Sequence, residues 1–237
     1  MSTSRLSLLL IFVVIASGCA TQGGQSGSGA QQASSPLARF AKSDIDEVIE
    51  IHQQRLMSDL QLMMYKLYLR NPSQRHDRDI RETRESVDRI FAKRFDQVFP
   101  GLEMADPTDL IRLSLEPDYQ GDRVLAFITG LRRMLMSAYD DRTEFYYLTQ
   151  VDQQKLYNSA RNIEIAAWLL AERRDSDGRL LLLSDSLQDE QRNLSYQRLF
   201  GQMIATQDNL AEIISHKTGR LIKTVVVKTA TVMFLPI

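Results

Sequence analysis

Cysteine is almost absent from this chain of 237 residues, which contains only Cys19. One cysteine cannot close an intramolecular disulfide, so the fold has to be stabilised by its hydrophobic core. A domain of roughly 200 residues buries about 70% of the surface of its unfolded chain, and a core of that size needs no covalent staple. The role of Cys19 therefore has to be sought in the residues around it.

An excess of positive charge is also missing. The chain has 29 Lys and Arg residues against 30 Asp and Glu, a formal net charge of -1. Affinity for nucleic acid comes from clustered basic side chains. The charge balance therefore predicts that nucleic acid is not a partner.

Motifs of the common enzyme classes do not occur. The chain has no G-x-S-x-G, P-loop, dinucleotide or C-x-x-C motif, so no reaction can be proposed from a motif. Its histidines, His52, His76 and His216, are scattered and lack H-E-x-x-H spacing, so we predict neither a metal site nor a cofactor. We interpret His52, on an apolar helical stripe, as a hydrogen-bonded core residue; a base beside Glu50 is the alternative.

The first apolar run, Leu6 to Ile15, is too short to cross a membrane, since a spanning helix needs roughly 20 residues. Arg5 precedes it, and Ala16-Ser17-Gly18 leads from it to Cys19. A basic residue, an apolar run and small residues in this order are typical of a bacterial signal peptide. We therefore expect the run to be removed.

The segment "IASGC", Ile15 to Cys19, resembles the lipobox of bacterial lipoproteins. Ser17 and Gly18 fit that pattern, whereas Ala16 stands where the family prefers Leu or Val. The resemblance implies cleavage after residue 18 and acylation of Cys19, which would hold the protein to a membrane by its lipid chains. In the family an Asp after the cysteine retains the protein in the inner membrane; Ala20 implies the outer membrane, facing the periplasm. An incidental cysteine in an ordinary secretory signal or uncleaved anchor is the alternative.

Residues 19–38 are rich in Gly, Ser and Gln, with no large apolar residue before Pro36. Such a composition cannot repay the entropy of ordering and predicts a flexible tether. At about 5–6 Å times the square root of its length, the tether would hold the next domain roughly 20–25 Å from the bilayer.

Residues 39–237 carry helical periodicity and predict one all-α domain, a bundle of about six helices. The segment from Val124 to Tyr139 is apolar on most of its circumference and is the expected central helix. Gly130 within it suggests a close helix–helix approach. Helix boundary signals occur at Ser43 with Asp46, Asn71-Pro72, Asp106-Pro107-Thr108 and Pro117.

Further helices are expected at Val151–Arg174 and from Leu194 to about Met233, with a break or kink at Thr218-Gly219. Residues 174–185, "RDSDGRLLLLSD", are the one place where a strand is plausible. The final "TVVVKTATVMFLPI" is interpreted as a docked helix, with a strand or a membrane tail as alternatives.

A polar group on an otherwise apolar helix is the candidate site: Asn158, Arg161, Asn162 and Glu164. Asn158 and Asn162 share one helix face. If that face is buried, these groups have to form a hydrogen-bonded network, because an unpaired buried polar group costs about 1–3 kcal/mol. The network either fixes helix register or lines a ligand pocket.

The segment "YDDRTEFYYL", Tyr139 to Leu148, gathers three acidic and three tyrosine residues. It lacks the alternating oxygen ligands and the glycine of an EF-hand loop. We interpret Asp140, Asp141 and Glu144 as solvated charges with the tyrosines packed at the rim; a cation site is the alternative.

The blocks "GDRVLAFITGL", "YDDRTEFYYL", "KLYNSARNIEIAAWLL" and "NLSYQRLFGQMIA" resemble those of uncharacterised proteobacterial envelope proteins. This resemblance implies a Gram-negative source but no activity. The resulting expectation is an outer-membrane lipoprotein, a non-enzymatic accessory or adaptor protein that binds another envelope component. The alternative is a helical protein that binds a small ligand in a polar pocket near Asn158, Arg161 and Asn162.

Overall fold

The structure, a computed structural model, describes residues 44–103, 106–146, 150–184, 190–191, 193–225 and 233–237. These residues form six α-helices and no β-strand, which confirms the predicted all-α class. The helices are α1 (Asp44–Arg70), α2 (Thr83–Ala92), α3 (Pro107–Ser114), α4 (Arg123–Ser137), α5 (Gln153–Glu172) and α6 (Ser195–Thr218), with a 3-10 turn at Pro72–Gln74. The predicted signal peptide, Cys19 and the tether lie outside the described residues.

Two helices organise the bundle. Helix α1, with 27 residues, contacts α2, α4 and α6, while α4 contacts α1, α3 and α5. Helices α5 and α6 pack along each other. Fully buried side chains from α1, α4, α5 and α6 share one continuous core, including Leu56, Leu60, Met63, Phe127, Leu131, Ile163, Leu199, Met203 and Leu210.

Helix α4 is buried on most of its surface, as predicted, and Gly130 lies where α3 comes closest. A Cβ atom on Gly130 would lie 2.8 Å from the Pro107 carbonyl oxygen and 2.8 Å from Ile111 Cγ1. Only a residue without a side chain fits there, so the expected close helix–helix approach is confirmed.

Aspartates begin three of the helices. Asp106 accepts a hydrogen bond from the Thr108 amide at 2.8 Å, Asp122 from the Leu125 amide at 2.8 Å and Asp152 from the Gln154 amide at 2.7 Å. Each cap satisfies an N–H group that the first helical turn leaves unpaired. The entry signal recognised at Asp106 is confirmed; the caps at Asp122 and Asp152 act in the same way.

The expected C-terminal helix is wrong for the described residues. Helix α6 ends at Thr218, and Gly219 follows with a φ of 68°, the left-handed conformation that terminates helices. Residues 220–225 and 233–237, called here the return segment, are not helical. Its β-branched residues favour an extended chain, and Phe234 of this segment is buried in the core.

The strand considered at residues 174–185 is reduced, in the part that the structure describes, to one isolated antiparallel bridge between Arg174 and Leu180. The bridge closes a turn around Gly178, whose φ is 79°. No helix among the described residues is long and apolar enough to span a membrane.

Candidate functional site

The two asparagines of the predicted polar group lie on the buried side of α5. Asn162 is completely buried and Asn158 is 8% exposed. Gln154 precedes Asn158 by four residues, so the three carboxamides follow one line along the helix, with Tyr157 beside them. Their partners decide whether they form a pocket or an internal contact.

Asn162 and Asn158 bind the main chain of the return segment. Asn162 Nδ2 donates to the Leu235 carbonyl oxygen at 2.9 Å, and Asn162 Oδ1 accepts from the Leu235 amide at 2.7 Å. Asn158 Nδ2 donates to the Pro236 carbonyl oxygen at 2.8 Å. One side-chain amide thus makes hydrogen bonds with both the N–H and the C=O group of a single residue, as a neighbouring β-strand would. We call this arrangement a carboxamide clasp.

The first turns of α5 hold the other part of the return segment in the same way. Gln154 accepts from the Lys223 amide at 2.7 Å and donates to the Lys223 carbonyl oxygen at 3.0 Å, which makes a second carboxamide clasp. The Tyr157 hydroxyl accepts from the Val225 amide at 3.0 Å and donates to the Val225 carbonyl oxygen at 3.1 Å. Gln154 also donates to Asn158 Oδ1 at 2.9 Å, which links the two ends of the contact.

A third carboxamide clasp lies elsewhere in the molecule. Asn71, directly after α1, donates to the Leu183 carbonyl oxygen at 2.9 Å and accepts from the Leu183 amide at 2.8 Å. The same device therefore fastens two different non-helical segments to the helical bundle. Sequence periodicity predicted the helices but gave no partner for these segments.

Arg161 and Glu164 point away from the clasps and toward α6. Arg161 Nη2 lies 2.6 Å from Asp208 Oδ2 and 3.1 Å from Glu164 Oε1, and its guanidinium stacks 4.9 Å from the Tyr157 ring centre. Burial raises the pKa of Asp208 and of Glu164, and the charge of Arg161 opposes both shifts. This ion cluster ties α5 to α6.

A buried chain of hydrogen bonds joins Tyr139, two residues after the end of α4, to α5 and α6. The Tyr139 hydroxyl donates to Gln207 Oε1 at 2.6 Å, and Gln207 Nε2 donates to the Ser159 hydroxyl at 2.6 Å. Ser159 in turn donates to the Leu156 carbonyl oxygen at 2.7 Å. Sequence reasoning missed Gln207, although a lone glutamine on the apolar stripe of α6 is the signal that marks it.

The prediction that the tyrosines of the segment from Tyr139 to Leu148 pack at the rim is wrong for Tyr139. It is completely buried because its hydroxyl has a partner in the core, whereas it was expected at the rim. Tyr146 is exposed, and Tyr147 lies outside the described residues. Asp140, Asp141 and Glu144 are exposed, as expected, and Asp140 lies 2.7 Å from Lys155 Nζ.

His52 is half-buried, and its Nδ1 lies 2.8 Å from the Val48 carbonyl oxygen. The predicted hydrogen-bonding partner is therefore present, but His52 is only partly buried and does not belong to the core. In the described part of the chain, no group of three or more His, Cys, Asp or Glu residues could hold a metal ion.

A groove of about 610 Å³ lies beside the clasp of Asn162. It is lined by the start of α3, by Arg112 and Met134, and by residues 234–237 of the return segment. The Arg112 guanidinium stacks 4.9 Å from the Phe234 ring centre. The return segment thus forms one wall of the groove and fills the space beside Asn158 and Asn162.

Comparison with known proteins gives no relative, since no protein-family model, curated protein or solved structure matches the chain.

Proposed function

We propose that the protein is a lipoprotein of the outer membrane, facing the periplasm, that serves as a non-enzymatic adaptor for another envelope protein. The observation that carries the proposal is the sequence from Leu6 to Cys19, an apolar run followed by a lipobox-like "IASGC". Acylation at both the thiol and the new amino group of Cys19 would provide the two or more chains that stable anchoring requires.

The contacts of α5 support an adaptor over a small-ligand carrier. Asn158 and Asn162, around which a polar pocket was considered, are bonded to Pro236 and Leu235 of the same chain. Arg161 is engaged by Asp208 and Glu164. The amide groups of the two asparagines and one terminal nitrogen of Arg161 thus already have internal partners, which favours binding at the outer surface over binding of a small ligand at this cluster.

In-cell crosslinking followed by affinity purification and mass spectrometry tests this function. The wild-type protein is compared with Cys19→Ser, which lacks the acylated thiol, and with Ser17→Ala, which keeps a small residue before the cysteine. An adaptor is expected to capture one discrete envelope protein in its wild-type and Ser17→Ala forms and to lose it in Cys19→Ser. Failure of all three forms to capture any specific partner would contradict the proposal.

A further inference from the structure

The return segment has two main-chain edges, and α5 covers only one of them. In an extended chain the N–H and C=O groups of one residue point to one edge, and those of the next residue point to the other. Gln154 and Tyr157 bind both groups of Lys223 and both groups of Val225, two residues apart. This alternation shows that residues 223–225 are extended with one edge against α5.

The opposite edge is formed by the main chain of Ile222 and Thr224. The structure gives neither residue a main-chain hydrogen bond within the residues that it describes. Thr224 is exposed, while the Ile222 side chain packs against the core and fixes the segment in place. An extended edge with free donors and acceptors is a template for pairing with another strand.

The residues around this edge are basic and apolar. Lys217, Arg220 and Lys223 are exposed, and none has an ion-pair partner in the described ranges. No acidic residue occurs between Ser215 and Val225. Leu221, between two of the basic residues, is 90% exposed.

We propose that the edge at Ile222 and Thr224 binds an extended segment of the partner protein that carries acidic side chains, by β-strand addition. The inference rests on the proposed adaptor function and names the surface and the chemistry of its partner. The partner strand would bond to the N–H and C=O groups of Ile222 and Thr224. Its acidic side chains would pair with Arg220, Lys223 and Lys217, and an apolar side chain would cover Leu221.

Two other occupants fit the same surface less well. A bilayer surface would attract the basic residues, but lipid headgroups do not present the regularly spaced donors and acceptors of a strand, which the main chain of Ile222 and Thr224 would pair with. A second copy of this chain, paired edge to edge, would bring two sets of the same basic residues together, and like charges on facing strands are destabilising. An acidic strand satisfies both the main-chain groups and the charges.

Photo-crosslinking in cells tests the inference with the full-length protein. A photoreactive phenylalanine derivative replaces Leu221, and in separate strains Gln97, Asp118 or Asp177, all exposed and elsewhere in the chain. The strain with the probe at residue 221 is then combined with Thr224→Pro, which removes one N–H from the free edge while residues 223 and 225 keep theirs. Thr224→Val is the matched control, because it retains the N–H.

The expected result is an adduct between residue 221 and one envelope protein, unchanged in Thr224→Val and about tenfold weaker in Thr224→Pro. Lys223→Glu, which leaves the main chain intact, should weaken the adduct to a similar extent. Thermal unfolding that is the same for all three variants excludes misfolding as the cause.

Five outcomes would overturn the inference. An adduct that Thr224→Pro and Lys223→Glu both leave unchanged would mean that the edge is not used. A lipid adduct, or an adduct of twice the chain's own mass, would assign the surface to the membrane or to a second copy. Adducts only at Gln97, Asp118 or Asp177 would show that the partner binds elsewhere, so the proposed role of the edge would be wrong while the adaptor function would stand. No adduct at any of the four positions would count against both.

Discussion

The side-chain amide of Asn162 and the main chain of Leu235, 73 positions apart in sequence, exchange two hydrogen bonds at 2.9 and 2.7 Å. The Asn162 side chain is completely buried, Leu235 is half-buried, and the clasp fastens the return segment to α5. It explains why a fully buried asparagine is present in the apolar part of that helix.

Replacing Asn162 with Leu should destabilise the protein by about 2–3 kcal/mol. The substitution leaves the half-buried N–H and C=O groups of Leu235 without partners. An unsatisfied buried group costs about 1–3 kcal/mol, and the lower part of that range applies to each of these two because both are only partly buried. Chemical denaturation measures the loss. Gln154→Leu is the control, because the Lys223 clasp is exposed and water can take the place of its hydrogen bonds. If both variants lost the same free energy of unfolding, burial would not be the reason for the contribution of Asn162.

Gly130→Ala and Gly201→Ala should have opposite effects on stability. A Cβ on Gly130 would meet the Pro107 carbonyl oxygen at 2.8 Å, so α3 and α4 have to separate, at a cost of about 1–3 kcal/mol. Gly201 is an exposed residue of α6 with nothing within 4 Å of an added Cβ. Alanine there should stabilise by about 0.5–1 kcal/mol through helix propensity. Thermal unfolding of the two variants checks both signs, and a stabilised Gly130→Ala would refute the close approach.

The Tyr139–Gln207 hydrogen bond should show energetic coupling. Tyr139→Phe leaves the buried Gln207 Oε1 unpaired and should cost about 1–3 kcal/mol. Gln207→Leu removes that orphaned group, so the double variant should lose less than the sum of the two single variants. A double-mutant cycle from urea denaturation gives the coupling energy; strict additivity would mean that the two residues act independently.

The Arg161 cluster should impose a pH dependence on stability. Burial raises the pKa of Asp208 and of Glu164, so the folded state retains protons that the unfolded chain releases. Stability from these two groups should therefore fall as the pH rises above the ordinary carboxyl range of about 4 toward neutrality. The free energy of unfolding is measured against pH for wild type and for Asp208→Asn with Glu164→Gln. The fall should be smaller in the double variant, where only other carboxyls with a pKa raised by burial, such as Asp122, still contribute to it. A rise instead would mean that the charge of Arg161 dominates over burial.

Much of the fold follows from the sequence because helix signals are local. The apolar period from Ile49 to Leu67 and the Asp106-Pro107 entry each depend on residues within a few turns, and the structure has helices at both places. The asparagines of α5 were identified as unusual for the same reason. Their partners were not, because Leu235 and Pro236 lie more than 70 positions away, and no periodicity links a helix to an extended segment.

The return segment was predicted to be a docked helix, and its residues explain why this prediction is wrong for the part that the structure describes. Its apolar and β-branched residues fit a helix, a strand or a membrane tail, and no strand was found for it to pair with. The chain resolves this by using side-chain amides and a tyrosine hydroxyl of α5 in place of a neighbouring strand. That solution depends on tertiary contacts, which override local propensity.

Sorting to the outer membrane can be tested at the residue after the cysteine. If the protein is an outer-membrane lipoprotein, Ala20→Asp should move it to the inner-membrane fraction. In the bacterial lipoproteins that its lipobox resembles, an Asp after the cysteine keeps the protein in the inner membrane. Ala20→Ser, which keeps a small uncharged residue, should leave it in the outer membrane. Density-gradient separation of the two membranes distinguishes these outcomes, and an unchanged distribution of Ala20→Asp would speak against the assigned location.

Acylation of Cys19 is the property that distinguishes a lipoprotein most directly from an ordinary secreted protein. Cells grown with a clickable fatty acid are fractionated, and the label and the membrane content of the wild-type protein are compared with those of Cys19→Ser. With a lipid anchor at Cys19, the wild-type protein is labelled and sediments with membranes, whereas Cys19→Ser is unlabelled and is released into the soluble fraction. A Cys19→Ser protein that remains in the membrane fraction, or a wild-type protein without label, would contradict the lipid anchor.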